Sequence, residues 1–234
     1  MKNTTGTHNI FTGNMLKITA LILMTIDHVG AHLFPDIQFL RIIGRLSYPI
    51  FAYMIAQGCE YTSDRKKYLG NMILLALLCQ GVSFVVQGSL TMCAVVPFSL
   101  SIILIYLLDY MLDKRSTKSF FISLGALFVV YFLSEMLPSA LKNTDYSIDY
   151  GFFGILAPVF AYIGKTRMQK IALFSFALVL VSADLGTIQW YSLLAIPLII
   201  MYNGKRGSAK LKNLFYIYYP AHLAVIYLIG LVIR

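Results

Sequence analysis

Residues 68–87 read YLGNMILLALLCQGVSFVVQ, without a single charged side chain, and Met72–Leu78 (MILLALL) stands at their centre. A helix needs about 20 apolar residues to cross the hydrocarbon core of a bilayer, and this stretch is long enough. In lipid every backbone amide must be bonded within the protein, which leaves helices or closed barrels. The apolar run is continuous and lacks the dyad alternation of a barrel strand, so helices are the choice. A second run, Leu193–Met201 (LLAIPLIIM), sits inside another such stretch.

Working outward, the same pattern recurs along the chain at roughly 16–34, 39–58, 68–87, 95–112, 119–138, 151–164, 170–184, 187–202 and 214–233. The expected fold is all-α: a polytopic transmembrane helical bundle of about nine spans. The sixth and seventh spans are short, and tilting, re-entry or merging are open for them. The connections are short, so neighbours should pack antiparallel in a single membrane domain over 1–234, preceded by a short polar segment, 1–14. That segment shows no cleavable leader, so the first span is expected to act as an uncleaved start signal.

Composition excludes a soluble globular domain. The chain of 234 residues is 59% hydrophobic and only 12% charged, with a mean hydropathy of +0.75. A soluble domain is about a quarter charged, because its surface must be covered. The net charge of +9 invites a nucleic-acid reading. Its placement argues against one, because the basic residues sit in short loops between apolar spans.

Those loops also give the orientation. Asp64-Arg65-Lys66-Lys67 follows the second span, Asp113-Lys114-Arg115 with Lys118 the fourth, Lys165, Arg167 and Lys170 the sixth, and Lys205, Arg206, Lys210 and Lys212 the eighth. The alternate loops hold only Arg41 and Lys142 beside Asp36, Asp145, Asp149 and Asp184. Positive charge stays inside, so the N-terminus is expected in the cytoplasm and the C-terminus outside. Cys59, Cys79 and Cys93 show no metal or disulfide spacing and read as small buried hydrophobes.

Ionisable groups inside spans are costly and are functional candidates. In the first span, Lys17 opens the helix and His28 lies eleven residues on, about 16 Å along its axis. Histidine is the natural acid or base near neutral pH. Asp27 precedes it, but consecutive helical residues point about 100° apart, so Asp27 is directed elsewhere. A helix–helix polar contact is the bland alternative. In Arg41-Ile-Ile-Gly-Arg45-Leu-Ser-Tyr-Pro49, Arg45 falls at the depth of His28, which suggests an Asp27–Arg45 pair, catalytic or purely structural. Gly44 would allow close helix contact and Pro49 a kink.

Three further places stand out. Asn203-Gly204-Lys205-Arg206-Gly207 is a glycine-rich basic turn whose amides could cradle phosphate, although a basic inner loop is expected in any case. Phe215-Tyr216-Ile-Tyr-Tyr219-Pro220-Ala-His222 is an aromatic, proline-kinked, histidine-bearing span that suits a cavity wall; a structural histidine is the alternative. Asp149-Tyr150-Gly151 opens the sixth span at the outer face, where Asp149 is a substrate contact or simply an N-cap.

Taken together, LKITALILMTIDHVGAHLFP, LRIIGRLSYPIFAYMIAQGCEYT, DYGFFGIL, YNGKRG and LKNLFYIYYPAHL resemble the TraX family, in order from the first span to the last. The namesake of that family acetylates the amino terminus of a pilin in bacterial conjugation. The resemblance implies a membrane acetyltransferase moving acetyl from cytosolic acetyl-CoA to an amine or hydroxyl of a peptide or envelope glycan outside. The segment Ala94–Ser101 departs from the family pattern, which puts pilin itself in doubt as the acceptor. A looser similarity is to membrane acyltransferases that O-acetylate sugars, which carry arginine, ten residues, then a histidine thought catalytic. Here Lys17 stands in the arginine's place before His28.

On this implied chemistry His28 is the general base, Asp27 its support, and Arg45 a partner of Asp27 or an oxyanion donor. Lys17, Gly204, Lys205, Arg206 and Gly207 would hold the acetyl-CoA phosphates. Arg41, Asp149, Tyr150, Tyr216, Tyr219 and His222 would line the acceptor's path. Neither a metal nor nucleic acid enters, and lipid is the one general partner. A proton-coupled transporter using Asp27, His28 and Arg45 is the rival class, with no inverted repeat to support it. A non-catalytic membrane accessory protein is the third.

Overall fold

A computed structural model of the chain describes residues 10–208 and 212–233, so residues 1–9 of the polar leader, and Lys210 of the last basic loop, lie outside it. The described residues are almost entirely helical. Extended pairing among them is limited to two isolated bridges, Phe11–Tyr202 and Met92–Ile148. In chain order the helices are α1 (Gly13–His32), α2 (Gln38–Gly44), α3 (Ser47–Tyr61), α4 (Arg65–Gln87) and α5 (Val95–Lys114). They continue with α6 (Thr117–Tyr131), a π turn (Phe132–Met136), α7 (Leu137–Ala140), α8 (Gly151–Ile163) and α9 (Arg167–Leu185). A 3-10 stretch (Thr187–Ala195), α10 (Ile196–Ile200) and α11 (Lys212–Ile233) complete the bundle.

Polar residues between the apolar runs start the helices. Thr12 caps α1, Asp64 caps α4, and Ser116 with Ser119 and Thr166 with Gln169 form reciprocal capping boxes on α6 and α9. Each side-chain oxygen satisfies an amide that the first helical turn leaves unbonded. Gly88 ends α4 in the left-handed conformation that costs glycine nothing.

Among the described residues, six helical stretches are long and apolar enough to cross a membrane: Gln38–Tyr61, Arg65–Gln87, Val95–Lys114, Thr117–Ala140, Arg167–Leu185 and Leu214–Val232. Gly151–Ile163 and Thr187–Ile200 are apolar but shorter, and α1 has 20 residues with Lys17 and Asp27 on it. The chain is thus a multi-pass membrane protein. Two details differ from expectation. The stretch 170–184 belongs to a full-length helix of 19 residues, not a short segment. The irregular stretch is 187–202, which begins as 3-10 helix.

The breaks have identifiable causes. Between α2 and α3 the helix is interrupted at Arg45-Leu46. Pro49 stands four residues after Arg45, and a proline ring clashes with the carbonyl four positions earlier. The π turn at Phe132–Met136 likewise precedes Pro138. Pro220 lies inside α11, which runs on through it.

Contacts gather the ends of the elements into two layers. At one end Arg65 pairs with Asp109 at 2.6 Å, Tyr162 donates to the same carboxylate at 2.7 Å, Lys170 pairs with Glu60, and Arg167 donates to the carbonyls of Ile200 and Tyr202. The basic connections after α3 and α8 and the turn that follows α10 therefore lie together. At the other end, Met92 and Asp149 stitch the connection after α4 to the one before α8: the Met92 amide donates to Ser147 and the Asp149 amide to Met92. Outside the core, α6 turns large apolar side chains such as Phe121 and Phe128 outward, as a lipid-facing helix does.

Candidate functional site

The first two helices approach closely because glycines allow it. A Cβ on Gly44 would come within 2.3 Å of the Asp27 Cβ, and one on Gly30 within 2.7 Å of the Leu40 Cβ. That approach brings two arginines to one carboxylate. Arg41 Nη1 lies 2.8 Å from Asp27 Oδ2 and also donates to the Asp27 carbonyl at 3.0 Å. Arg45 Nη2 reaches both oxygens of Asp27 at 3.3 Å. The expected Asp27–Arg45 pair is present, and Arg41 makes a shorter contact still. Arg45 Nη1 reaches Gln189 Oε1 at 3.4 Å, while its buried Nε has no hydrogen-bond partner among the described residues. Two guanidiniums against one carboxylate leave the group net positive.

Asp27 supports the arginines, not His28. The partner of His28 is His222: His28 Nδ1 and His222 Nε2 are 2.8 Å apart. His222 Nδ1 lies 2.9 Å from the Tyr218 carbonyl oxygen one turn earlier in α11. Thr25 Oγ1 meets the Tyr218 hydroxyl at 2.6 Å and donates its own proton to the Leu21 carbonyl, so the Tyr218 O–H donates to Thr25. Lys17 Nζ stands over the Phe215 ring, 5.8 Å from its centroid. These three rungs, 17–215, 25–218 and 28–222, ascend together, so α1 and α11 run parallel.

Two cavities flank this pair of helices. One, called outer after the side that the loop charges predict, as the other is called inner, is about 230 Å³ and lined by Asp27, His28, Arg41, Arg45, Asp149 and Tyr150, with Tyr48 and Ala94 among the rest. The inner one, about 630 Å³, is lined by Lys17, Lys67, Gly204, Arg206 and Tyr216, with Asn14, Tyr68 and Asn71. Phe51, Phe98 and Tyr219 line both. The two spaces therefore adjoin at these aromatic side chains, where Phe51 and Tyr219 meet edge to face with centroids 6.2 Å apart.

At the outer mouth Tyr48 and Tyr150 stack with centroids 3.7 Å apart, and the Tyr48 hydroxyl donates to the Gly154 carbonyl at 2.7 Å. Tyr150 holds a left-handed φ of 66° at the start of α8 and makes no side-chain cap. Asp149 is not the N-cap that its position suggests. Glu135, from the π turn, accepts from the Phe152 amide at 2.8 Å and takes that task. The Asp149 carboxyl is left to the cavity wall, where loss of water pushes it up to about 6 against the pull of Arg45.

The glycine-rich turn behaves differently from its expected role. Its carbonyls accept from the start of α1: the Gly13 amide donates to Lys205 and the Asn14 amide to Arg206, at 2.8 and 2.9 Å. The Lys205 amide is turned to the Asn203 side chain at 2.8 Å. The turn thus caps a helix, and only Gly204 and Arg206 of it line the inner cavity; Lys205 and Gly207 do not. Tyr216 lines the inner cavity, not the outer, and His222 lines neither, standing behind His28. Residues that the sequence did not single out include Lys67, Tyr48, Phe51, Phe98, Tyr218 and Glu135. Of these only Glu135, a carboxyl inside an apolar span, carried a signal of the kind that marked Asp27.

No solved structure matches the chain. An uncharacterized protein of Rickettsia prowazekii is 24% identical over 79% of this chain and 67% of its own length. The probable fimbrial assembly protein FimC of Dichelobacter nodosus, serogroup H1, is 24% identical over 92% of this chain and 94% of its own. The family model described as TraX protein matches residues 12–230, nearly the whole described bundle from the cap of α1 to the last turns of α11. The chain belongs to the TraX family.

Proposed function

We propose that the chain is an acetyltransferase of the bacterial cytoplasmic membrane. It moves an acetyl group from cytosolic acetyl-CoA to an amine or hydroxyl of an acceptor at the outer side. The observation that carries this reading is the pair of cavities meeting at Phe51, Phe98 and Tyr219. A donor from one side and an acceptor from the other would meet where those three side chains stand.

The inner cavity suits the donor. Its volume lies within the range of small-molecule sites, about 300–1,000 Å³. Lys17, Lys67 and Arg206 bring three cations to its wall, the charge a polyphosphate requires. Acetyl-CoA would supply an acyl group already activated as a thioester. On the outer side His28 would take the proton of the acceptor, and the arginine pair, net positive, would favour the oxyanion that develops at the acyl carbon. Tyr150 and the Asp149 carboxylate would hold the acceptor, an ammonium group being a natural partner for the latter.

The orientation belongs to the same reading. The helical path is read as nine passes with the N-terminus cytoplasmic. Lys67 and Arg206, from separate basic loops, share the inner cavity, which agrees with positive charge gathered on the cytoplasmic face. Kinship with a protein named for fimbrial assembly favours a pilus-like subunit as acceptor. However, Ala94 and Phe98 line the outer cavity and belong to the segment that departs from the family pattern, so a different peptide or glycan is equally served.

The test is transfer of label. Purified protein in vesicles receives isotope-labelled acetyl-CoA on the cytosolic side, and envelope peptides and polymers are examined by mass spectrometry. Labelled acceptor that disappears in His28→Ala, with the variant inserted at normal levels, supports the reading. Proton movement without label transfer would make the protein a carrier and end it.

A further inference from the structure

The two histidines between α1 and α11 carry more information than their proximity. A backbone carbonyl can only accept a hydrogen bond. His222 Nδ1, 2.9 Å from the Tyr218 carbonyl, must therefore carry a proton. A neutral His222 then has a lone pair on Nε2. That nitrogen lies 2.8 Å from His28 Nδ1, which must be the donor, since two lone pairs at that distance would repel. By the same rule a neutral His28 has its remaining lone pair on Nε2, which makes no hydrogen bond among the described residues. His28 lines the outer cavity and His222 stands behind it.

We infer that His222 is a positioning residue that fixes His28 in the Nδ1–H tautomer and so makes His28 Nε2 the base that serves the outer cavity. The arrangement follows the logic of a base oriented by a third group, with an imidazole and a peptide carbonyl in the orienting place. Asp27, the neighbouring carboxylate, is engaged by Arg41 and Arg45 and does not fill that place. The second rung, Tyr218 O–H to Thr25, and the stacking of the Tyr218 ring on His222, 5° from parallel, hold the His222 ring in register.

For its use in catalysis the inference rests on the acetyltransferase reading. There the acceptor's nitrogen or oxygen forms a bond to the acyl carbon while His28 Nε2 takes the acceptor's proton. The carbon–sulfur bond then breaks, coenzyme A leaves as thiolate, and the proton on His28 Nε2 returns to the sulfur. During this cycle the positive charge on His28 is shared through Nδ1–H with His222, whose own Nδ1–H stays on the Tyr218 carbonyl.

The test has one arm that needs no activity. Nitrogen-15 histidine spectra of the full chain in nanodiscs, at a pH where the imidazoles are neutral, report which ring nitrogen bears hydrogen, with His8 and His32 identified by their glutamine variants. The expected result is His28 with hydrogen on Nδ1 and none on Nε2. Hydrogen on Nε2 of His28 in the natural protein would overturn the assignment. In the kinetic arm, His222→Ala should lower kcat about a hundredfold, the scale of general-base catalysis, with KM for acetyl-CoA unchanged. His222→Gln should restore most of it, because the amide oxygen accepts from Nδ1–H. Equal kcat in all three proteins would remove His222 from the chemistry. Should the spectra hold while no acceptor is ever acetylated, the tautomer assignment stands and the acetyltransferase reading falls.

Discussion

Gly44 and Asp27 face each other so closely that a methyl group on Gly44 would sit 2.3 Å from the Asp27 Cβ and 2.4 Å from its Oδ1. Backbone and carboxylate are fixed together at this point, and Arg45, the next residue, completes the pair. Gly44→Ala should therefore separate α1 from α2 at the level of the outer cavity. The cost expected for such overpacking is about 1–3 kcal/mol, read as a lower unfolding temperature in detergent together with loss of activity. Unchanged stability would mean that the helices pack less tightly here.

Asp27→Asn keeps the size of the side chain and removes the charge that two arginines share. Removing one partner of a buried ion pair costs about 3–5 kcal/mol, because the other is left uncompensated. Reduced yield of folded protein is expected, with partial recovery in the double variant Asp27→Asn, Arg41→Gln. Normal stability of the single variant would show that water reaches the arginines freely.

Lys17 tests the donor side. Lys17→Ala should raise KM for acetyl-CoA about tenfold, the effect of losing one charge-assisted contact of about 1.5 kcal/mol, with kcat nearly unchanged. Lys17→Arg should keep KM low. An unaltered KM in the alanine variant would confine Lys17 to its contact with Phe215.

Asp149 gives a pH dependence with a defined sign. Burial raises its carboxyl to about 6, so the side chain is ionised above that pH and neutral below it. An amine acceptor held by this carboxylate should bind less well as pH falls through about 6. Asp149→Asn should show the weak binding at every pH and lose this component of the profile. A wild-type KM that stays flat across the range would exclude Asp149 as the amine's partner.

Much of this was legible in the sequence. Apolar runs and basic loops mark the membrane bundle because the bilayer imposes one length scale and one charge rule on every span. Lys17, Asp27, His28 and Arg45 stand out because charge in lipid needs a reason. What stayed hidden depends on contacts between distant elements. Nothing in YYPAHL states that His222 meets His28 and not a substrate, since that requires α1 and α11 to run side by side in one direction. Nor does NGKRG reveal that its carbonyls bond the start of α1 while its Asn203 and Lys205 amides are engaged within the protein. In the sequence Asp149 reads equally as a substrate contact or an N-cap, and only the fold brings Glu135, from another span, to the first amides of α8.

The hydrogen bonds from Gly13 and Asn14 to Lys205 and Arg206 have a consequence for biogenesis. The base of α1 is sealed by a segment that is made only after α10, far downstream in the chain. The inner cavity, whose wall draws on both, cannot close until that later segment has been threaded into place. A product truncated before Asn203 would lack both that seal and that part of the cavity wall.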